Sequence, residues 1–510
     1  MAEKRPETKR EIERKYEGEG ADVRLPDLTR VRGVAAVHDE GVTELDAVYY
    51  DTADLRLAAA SLTLRRRTGG SDAGWHLKFP VATGIRDEIR APLSESLPHS
   101  LAGLVRSRVR DQPVVPVVRL RSSRDVRHLA AEDGTLLAEL STDTVRATRL
   151  PLRAETSWTE IEVELADDAD EALLDAVEKR LKKAGIRPSA SSSKLARALE
   201  ETGADVPEAR GGTQDDGTAG AAVLTYVRTQ VDALVALDPA VRRELPDAVH
   251  QMRVASRRLR SAFKTYKSVL DRSVTDPVGE ELKWLAGELG HARDQEVLEA
   301  RLRAGVDALP GELVVGPVRG RLRTWHEARS GGARSSTLVA LDSARHLALL
   351  DRLDALLADP PLLPGARKKA TKALPKAVRR DYRRLADRVE HALALDPGTE
   401  RDLALHEARK AAKRARYAGE AATPTLGKPA KRLAKRMKRV QSCLGDHQDS
   451  VVARAALLDL AAQAHEAGES AFTWGVLYGR EQAAGDADER ELPELWDRAS
   501  APKIRAALSH

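Results

Sequence analysis

The chain is 510 residues long, too long for one ordinary hydrophobic core, so two or three domains are expected. A hydrophobic content of 42% suits a globular protein, and the single cysteine, Cys443, excludes an internal disulfide and fits a reducing compartment. The net charge of +5 is modest, Met1 to Arg10 is too polar for a signal peptide, and no apolar run approaches the roughly 20 residues of a membrane helix, so a soluble, cytoplasmic protein is expected.

The first part of the chain reads as strands: Glu11 to Tyr16, Leu62 to Arg67, Trp75 to Phe79, Ile85 to Arg90, Val114 to Arg121, Leu136 to Leu140 and Trp158 to Leu165, separated by Gly, Asp and Pro. Asp170 to Lys183 reads as a helix ended by Gly185. Residues 1–203 are therefore one domain. Gly, Asp, Pro and Thr then dominate over 204–220, which reads as a linker. From Ala221 the pattern is helical, with Pro or Gly near 239, 277, 310, 331, 360 to 365, 397, 424 and 487 to 493. That spacing predicts tandem helical bundles over 221–508, in two similar halves at about 221–370 and 371–508.

Charged residues in the strands recur two apart, so each set shares one strand face. The sets are Glu11, Glu13 and Lys15; Arg65 and Arg67; His76 and Lys78; Arg86, Glu88 and Arg90; Glu160, Glu162 and Glu164. In an open sheet such a face is simply solvated. In a closed barrel it would line a lumen holding both signs of charge, which suits a polyanion together with a divalent metal. The cations would bind phosphate oxygens and the carboxylates a hard cation.

These residues carry a resemblance. Glu11-Ile12-Glu13-Arg14-Lys15 is similar to the ExExK signature of the CYTH superfamily, the triphosphate tunnel metalloenzymes. Tyr49-Tyr50-Asp51-Thr52, Leu64 to Arg67, Trp75 to Lys78, Arg86-Asp87-Glu88, Glu160 to Leu165 and Ser193-Lys194 resemble further family segments in order, covering residues 8 to 200. The resemblance implies an α+β antiparallel eight-stranded tunnel barrel that hydrolyses a terminal phosphoanhydride. It implies Mg²⁺ or Mn²⁺ on Glu11, Glu13, Glu162 and Glu160 or Glu164. It also implies a triphosphate grip made by Lys15, Arg65, Arg67, Lys78, Arg86, Arg124 and Lys194, with Arg119 and Arg121 as further tunnel candidates. Asp51 and Thr52 read as structural turn residues.

A helical pattern in the second part occurs twice, 156 residues apart: His250, Arg253, Arg257 and Arg260, then His406, Arg409, Lys413 and Arg416. The offsets 0, 3, 7 and 10 place each set on one helix stripe. Met252, Ala255, Leu259, Ala262 and Tyr266 form a buried stripe beside the first. Each copy precedes a Leu-Gly pair with an acid: Leu289, Gly290 and Asp294, then Leu444, Gly445 and Asp446 or Asp449. The acids read as partners that fix the stripe's arginines. Lys428 to Arg439 adds seven basic residues and no acid, including Lys435 and Arg439. This pattern resembles the all-α CHAD domain, over roughly Ala221 to Ser509. The resemblance implies binding of inorganic polyphosphate by both stripes, Arg293, Lys435 and Arg439; metal binding by His250 and His406 is the competing idea.

The sequence thus reads as a metal-dependent inorganic triphosphatase or polyphosphate-processing hydrolase with a polyphosphate-binding helical part, in the cytoplasm or on polyphosphate granules. A non-catalytic polyphosphate binder is the alternative, as is another CYTH activity such as adenylate cyclase or thiamine-triphosphatase. Nucleic acid is disfavoured, because few aromatics are available to stack on bases.

Overall fold

The computed structural model describes residues 7–18, 24–207, 216–330 and 333–502; the side chains at 291–293, 330 and 333–334 lie outside the description. Contacts divide the chain into two units, Met1–Gly211 and Gly212–His510.

The first unit is built from β1 (Glu7–Glu17), β2 (Ala36–Asp51), β3 (Thr63–Thr68), β4 (Gly74–Ala82), β5 (Ile85–Pro92), β6 (Val115–Ala130), β7 (Leu136–Arg149), β8 (Glu155–Leu165) and the short β9 (Arg187–Pro188). The antiparallel order β5-β4-β3-β2-β6-β7-β8-β1 closes on itself because β1 also pairs with β5, giving an eight-stranded barrel. Four helices accompany it: α1 (Arg56–Ala59), α2 (His99–Val109), α3 (Ala172–Lys183) and α4 (Lys194–Glu201).

The barrel is apolar outside, and its inner face is charged except where α4 packs against it. Outward side chains of β6, β7 and β8 (Leu129, Leu140, Ile161, Val163) pack against Leu174, Val177 and Leu181 of α3. Leu64, Trp75, Leu77 and Ile89 likewise face outward and pack against Leu101, Leu104 and Val105 of α2, whereas Val118, Leu120, Val145 and Trp158, in register with the lumen residues Arg124 and Asp143, pack on the inner face against Leu195 and Leu199 of α4. The hydrophobic gain of folding therefore comes from the barrel's outer surface and from the inner-face contact with α4. The rest of the interior is left for ionic side chains. The charge alternation seen in sequence is the inner half of a strand pleat, not a solvated face.

Two strands are longer than their patterns suggest, and the first half of β2 has no apolar alternation to reveal it. Pairing with β6 from Ala36 to Asp51 defines β2 in place of hydrophobic periodicity. Asp51 accepts hydrogen bonds from the backbone N–H groups of Thr52, Leu57 and Ala58 at 2.7 to 2.8 Å, so it anchors the turn into α1.

The second unit contains α5 (Ala219–Arg242), α6 (Ala248–Thr265), α7 (Arg272–Glu288), α8 (Gly290–Asp307), α9 (Val318–Ser330), α10 (Ala333–Asp342), α11 (Ala344–Ala358), α12 (Ala370–Ala394), α13 (Thr399–Leu426), α14 (Lys428–Glu466) and α15 (Phe472–Ser500). Prolines 239, 277, 424 and 493 do not end helices but sit inside α5, α7, α13 and α15. Packing overrides a local penalty of about 3 kcal/mol. Breaks do fall near 310, 360 to 365 and 397; the expected break at 331 lies outside the described residues.

The expected buried stripe of α6 (Met252, Ala255, Leu259, Ala262, Tyr266) is buried. One core joins it to Leu405, Ala408, Ala412 and Ala415 of α13, to Leu374 and Val378 of α12, and to Leu433, Met437 and Val440 of α14. The two motif copies thus share a core instead of each keeping its own. A second cluster joins α8, α9, α14 and α15 through Leu302, Trp325, Leu457 and Trp474.

Candidate functional sites: a charged tunnel and a basic cavity

The barrel encloses a cavity of about 460 Å³ lined by Glu11, Glu13, Lys15, Arg65, Arg67, Lys78, Arg86, Arg124, Glu162, Glu164 and Lys194, with Lys9, Glu88 and Arg90. Strand register explains the convergence. Lys15 of β1 lies opposite Glu162 of β8, and Glu13 lies opposite Glu164. Asp143 of β7 lies opposite both Glu160 of β8 and Arg124 of β6. The β4–β5 turn fixes Glu13 from the other side: Gly84, at φ +74°, accepts the Glu13 N–H at 2.9 Å. A Cβ at Gly84 would stand 2.8 Å from the Glu13 carbonyl oxygen.

Lys15 is ion-paired to Glu162 and lies 3.3 Å from Glu13. Burial favours its neutral amine, but Glu13 and Glu162 outweigh burial and hold the ammonium well above the usual lysine range. Lys78 contacts Glu11 at 2.5 Å and Glu88 at 3.5 Å; Arg65 stands 3.6 Å from Glu88, and Arg90 is also paired to Glu88. Arg124 forks onto Asp143 with two bonds of 2.8 Å and reaches Glu162 at 3.0 Å. Arg86 donates to the Ser192 carbonyl at 2.6 Å and so ties down the loop before α4. There Ser193 caps the helix by accepting the Ala196 N–H at 3.0 Å, and Lys194, the first helical residue, turns into the tunnel.

Lys194 sits among Asp143 (2.9 Å), Glu160 (2.7 Å) and Glu162 (2.8 Å). These three acids offer oxygens within 4.8 Å of one another, a spacing a metal ion could use. The ammonium already fills that centre, and Glu162 is held as well by Lys15 and Arg124, whereas Glu11 and Glu13 face the lumen beside it. Burial pushes the Glu11 carboxyl up, and Glu88 and Glu164 add to the shift against Lys78. The donors are all oxygen, as a hard cation such as Mg²⁺ or Mn²⁺ requires.

Several sequence expectations are corrected. Glu160 does not line the tunnel but lies beneath Lys194 and accepts the Trp158 indole N–H at 2.7 Å. Glu164 does line the tunnel, where it is paired with Lys9 at 2.6 Å. Arg119 and Arg121 are not tunnel residues, since both pair with Asp46 on an exposed face. Asp143 escaped notice because the strand reading stopped at Leu140, whereas β7 runs to Arg149. His76 is buried behind Glu88, its Nδ1 2.9 Å from that carboxylate and its Nε2 2.9 Å from the Asp72 carbonyl.

In the helical unit the two stripes face each other. Arg253 forks onto Asp294 at 2.8 and 3.1 Å, and Arg409 reaches Asp449 at 3.5 Å. Asp449, not Asp446, is thus the counterpart of Asp294. Only the first of the two glycines is sterically tight: a Cβ at Gly290 would lie 3.0 Å from the Arg253 guanidinium, whereas at Gly445 it would lie 3.7 Å from that of Arg409, an ordinary contact. Arg257, Arg260 and Lys413 line a cavity of about 570 Å³ together with Lys264, Lys283, Arg384, Arg388, Lys410 and Arg414, with Glu407 as the one acid in its wall. Burial, then Arg409 and Arg257, push the Lys413 amine down to about 7.

The remaining stripe residues fall elsewhere. Arg416 turns to Glu420 (2.7 Å) and Gln441 (3.2 Å). His406 bonds Gln448 at 2.5 Å, and neither it nor the exposed His250 lines the cavity. Lys435 and Arg439 are exposed on α14, outside it, and the side chain of Arg293 lies outside the described residues. Arg384 and Arg388 were missed because α12 carries no copy of the repeated pattern.

The fold and the two sites are those of a tunnel barrel joined to a basic helical module. The CYTH domain profile matches residues 9–199 and the CHAD domain profile residues 225–458. An uncharacterized protein of Mycobacterium tuberculosis strain H37Rv is 40% identical over 494 residues, covering 94% of each chain. The chain belongs to the CYTH–CHAD family. Among solved structures it is similar to PptA from Streptomyces chartreusis (24% identity, TM-score 0.47, 55% of this chain and 99% of that one). It is also similar to the CHAD domain from the plant Ricinus communis (25% identity, TM-score 0.42, 59% and 95%).

Proposed function

We propose that the chain is a divalent-metal-dependent hydrolase of inorganic tripolyphosphate or polyphosphate, and that its helical unit holds the long chain. The observation that supports this reading is the gathering of carboxylates and fixed cations in one tunnel. A purely anion-binding tunnel has no use for Glu11, Glu13 and Glu162, which repel phosphate. Glu11, Glu13 and Glu162 would hold Mg²⁺ or Mn²⁺, which when bound neutralises phosphate charge and lowers the pKa of a bound water.

The protein's own residues would do the rest. Arg65, Arg67, Lys78 and Arg86 would grip the phosphate oxygens and stabilise charge on the transferring phosphoryl group. Arg67 suits this role, because burial and then Arg65 and Arg124 disfavour its charge while Asp72 is its acidic contact, leaving it short of compensation until an anion arrives. Lys15, Lys194 and Arg124 would hold Glu162 ionised and in place. Among the described residues Tyr49 is the one Phe, Tyr or Trp on the tunnel wall, so adenine or thiazolium stacking has little to rest on. This favours an inorganic substrate over the cyclase and thiamine-triphosphatase readings.

The chain would act in the cytoplasm, on or near polyphosphate granules; among the described residues no helix is long and apolar enough to cross a membrane. The test separates the units. Glu11→Ala or Glu162→Ala should abolish hydrolysis and leave binding of long polyphosphate intact. The combined replacement of Arg253, Arg257, Arg409 and Lys413 should do the opposite. Loss of long-chain binding in the tunnel variants would refute the division.

A further inference from the structure

The histidine of the second Leu-Gly segment plays no part in either site described above. His447 of α14 is 3% exposed, and its Nε2 faces two carboxylates from two other helices. Asp402 Oδ1 of α13 lies at 3.2 Å and Glu489 Oε1 of α15 at 3.1 Å. A ring N–H can point at only one of them. The other oxygen of each carboxylate is turned outward to a guanidinium: Glu489 Oε2 to Arg401 at 3.0 Å and Asp402 Oδ2 to Arg454 at 3.4 Å. Orientation of a ligand carboxylate through its distal oxygen is what a metal's outer shell provides.

The spacing also fits. Ligands about 2.0–2.1 Å from a tetrahedral zinc stand roughly 3.3 Å apart, close to both nitrogen–oxygen separations. The three ligand atoms all fall within 4.8 Å of one another.

We propose that Asp402, His447 and Glu489 form a binding site for a divalent cation of the Zn²⁺ type, joining α13, α14 and α15. The chemistry selects the class. Arg401 and Arg454 offset the two carboxylate charges, so a cation held by charge alone gains little. One that bonds the imidazole nitrogen gains most, which favours Zn²⁺ over Mg²⁺. Asp402 lies one helical turn before His406 on α13, so the ion would brace the helix that carries the second basic stripe.

The test uses tag-free full-length protein, stripped with EDTA, loaded with Zn²⁺ in the presence of millimolar Mg²⁺, desalted and assayed for metal by mass spectrometry. His447→Gln should hold about one zinc per chain fewer than the parent. A Glu11→Gln/Glu13→Gln tunnel variant should keep that zinc. Loading with Co²⁺ should give visible absorption in the parent that His447→Gln lacks. Asp402→Asn and Glu489→Gln, which keep shape and an acceptor oxygen, carry the same comparison if His447→Gln does not fold. Equal zinc content in the parent and these three variants would overturn the proposal.

Discussion

Lys413 gives a prediction that can be worked through quantitatively. It stands in the basic cavity of the helical unit, facing Arg409 on its own helix, Arg253 and Arg257 of α6, and Asp449 of α14. With its amine near 7, roughly a tenth of molecules carry the proton at pH 8 before ligand arrives. A bound polyphosphate favours the charged form, so binding takes up a proton. The sign follows: affinity is full below pH 7 and falls as pH rises through 7 toward the pKa of the bound state. The limit is tenfold per pH unit, about 1.4 kcal/mol. Solvent reaching the open cavity reduces this to about three- to fivefold per unit.

The assay is fluorescence anisotropy with labelled long-chain polyphosphate at constant ionic strength between pH 7.5 and 9. That window lies above the histidine range, and long chains keep terminal phosphates, with a second pKa of about 6, a minor species. Lys413→Arg should bind with a flat profile, since a guanidinium stays charged. A parent profile as flat as that of Lys413→Arg would refute the reasoning.

Other perturbations follow from the same geometry. Lys194→Met leaves Asp143, Glu160 and Glu162 without their shared cation, and should cost about 3–5 kcal/mol of barrel stability. Thermal melting should show it as a loss of about 6–20 °C. Gly290→Ala should displace the Arg253 guanidinium from Asp294 and weaken polyphosphate binding about two- to fivefold, on the scale of one charged contact. Gly445→Ala, with more room, should leave binding unchanged and raise the melting temperature slightly through helix propensity. Polyphosphate affinity should also fall steeply with salt, with a log–log slope beyond about −3 if four or more cavity cations engage; a shallow slope would argue against the cavity as the site.

Much of the tunnel was readable because an inside-out barrel writes its lumen as a two-residue charge period. Glu11, Glu13, Lys15, Arg65, Arg67 and Lys78 share that rhythm with apolar neighbours that face α2 and α3. Where the inner face carries Ser141, Asp143, Val145 and Ala147, in the second half of β7, the charge rhythm fades; Asp143 was lost there, although register places it opposite Glu160. Arg119 and Arg121 have the right chemistry on the wrong face, because parity along β6 puts Arg124 inside and those two against Asp46. In the helical unit, the stripe offsets located Arg257, Arg260 and Lys413. They could not show that α12 would add Arg384 and Arg388, nor that Arg416 would be drawn off to Glu420. Which copy's acid meets which arginine depended on a four-residue step from Gly445 to Asp449, resolved only by helix packing.

The measurement that tests the central claim most directly is phosphate release from tripolyphosphate by the full-length protein with Mg²⁺, with Mn²⁺ and with EDTA, alongside Glu13→Ala. The account predicts metal-dependent release that EDTA stops and Glu13→Ala abolishes. No release with either metal, together with salt-sensitive binding of long polyphosphate, would contradict it and leave a binding protein with an inactive tunnel.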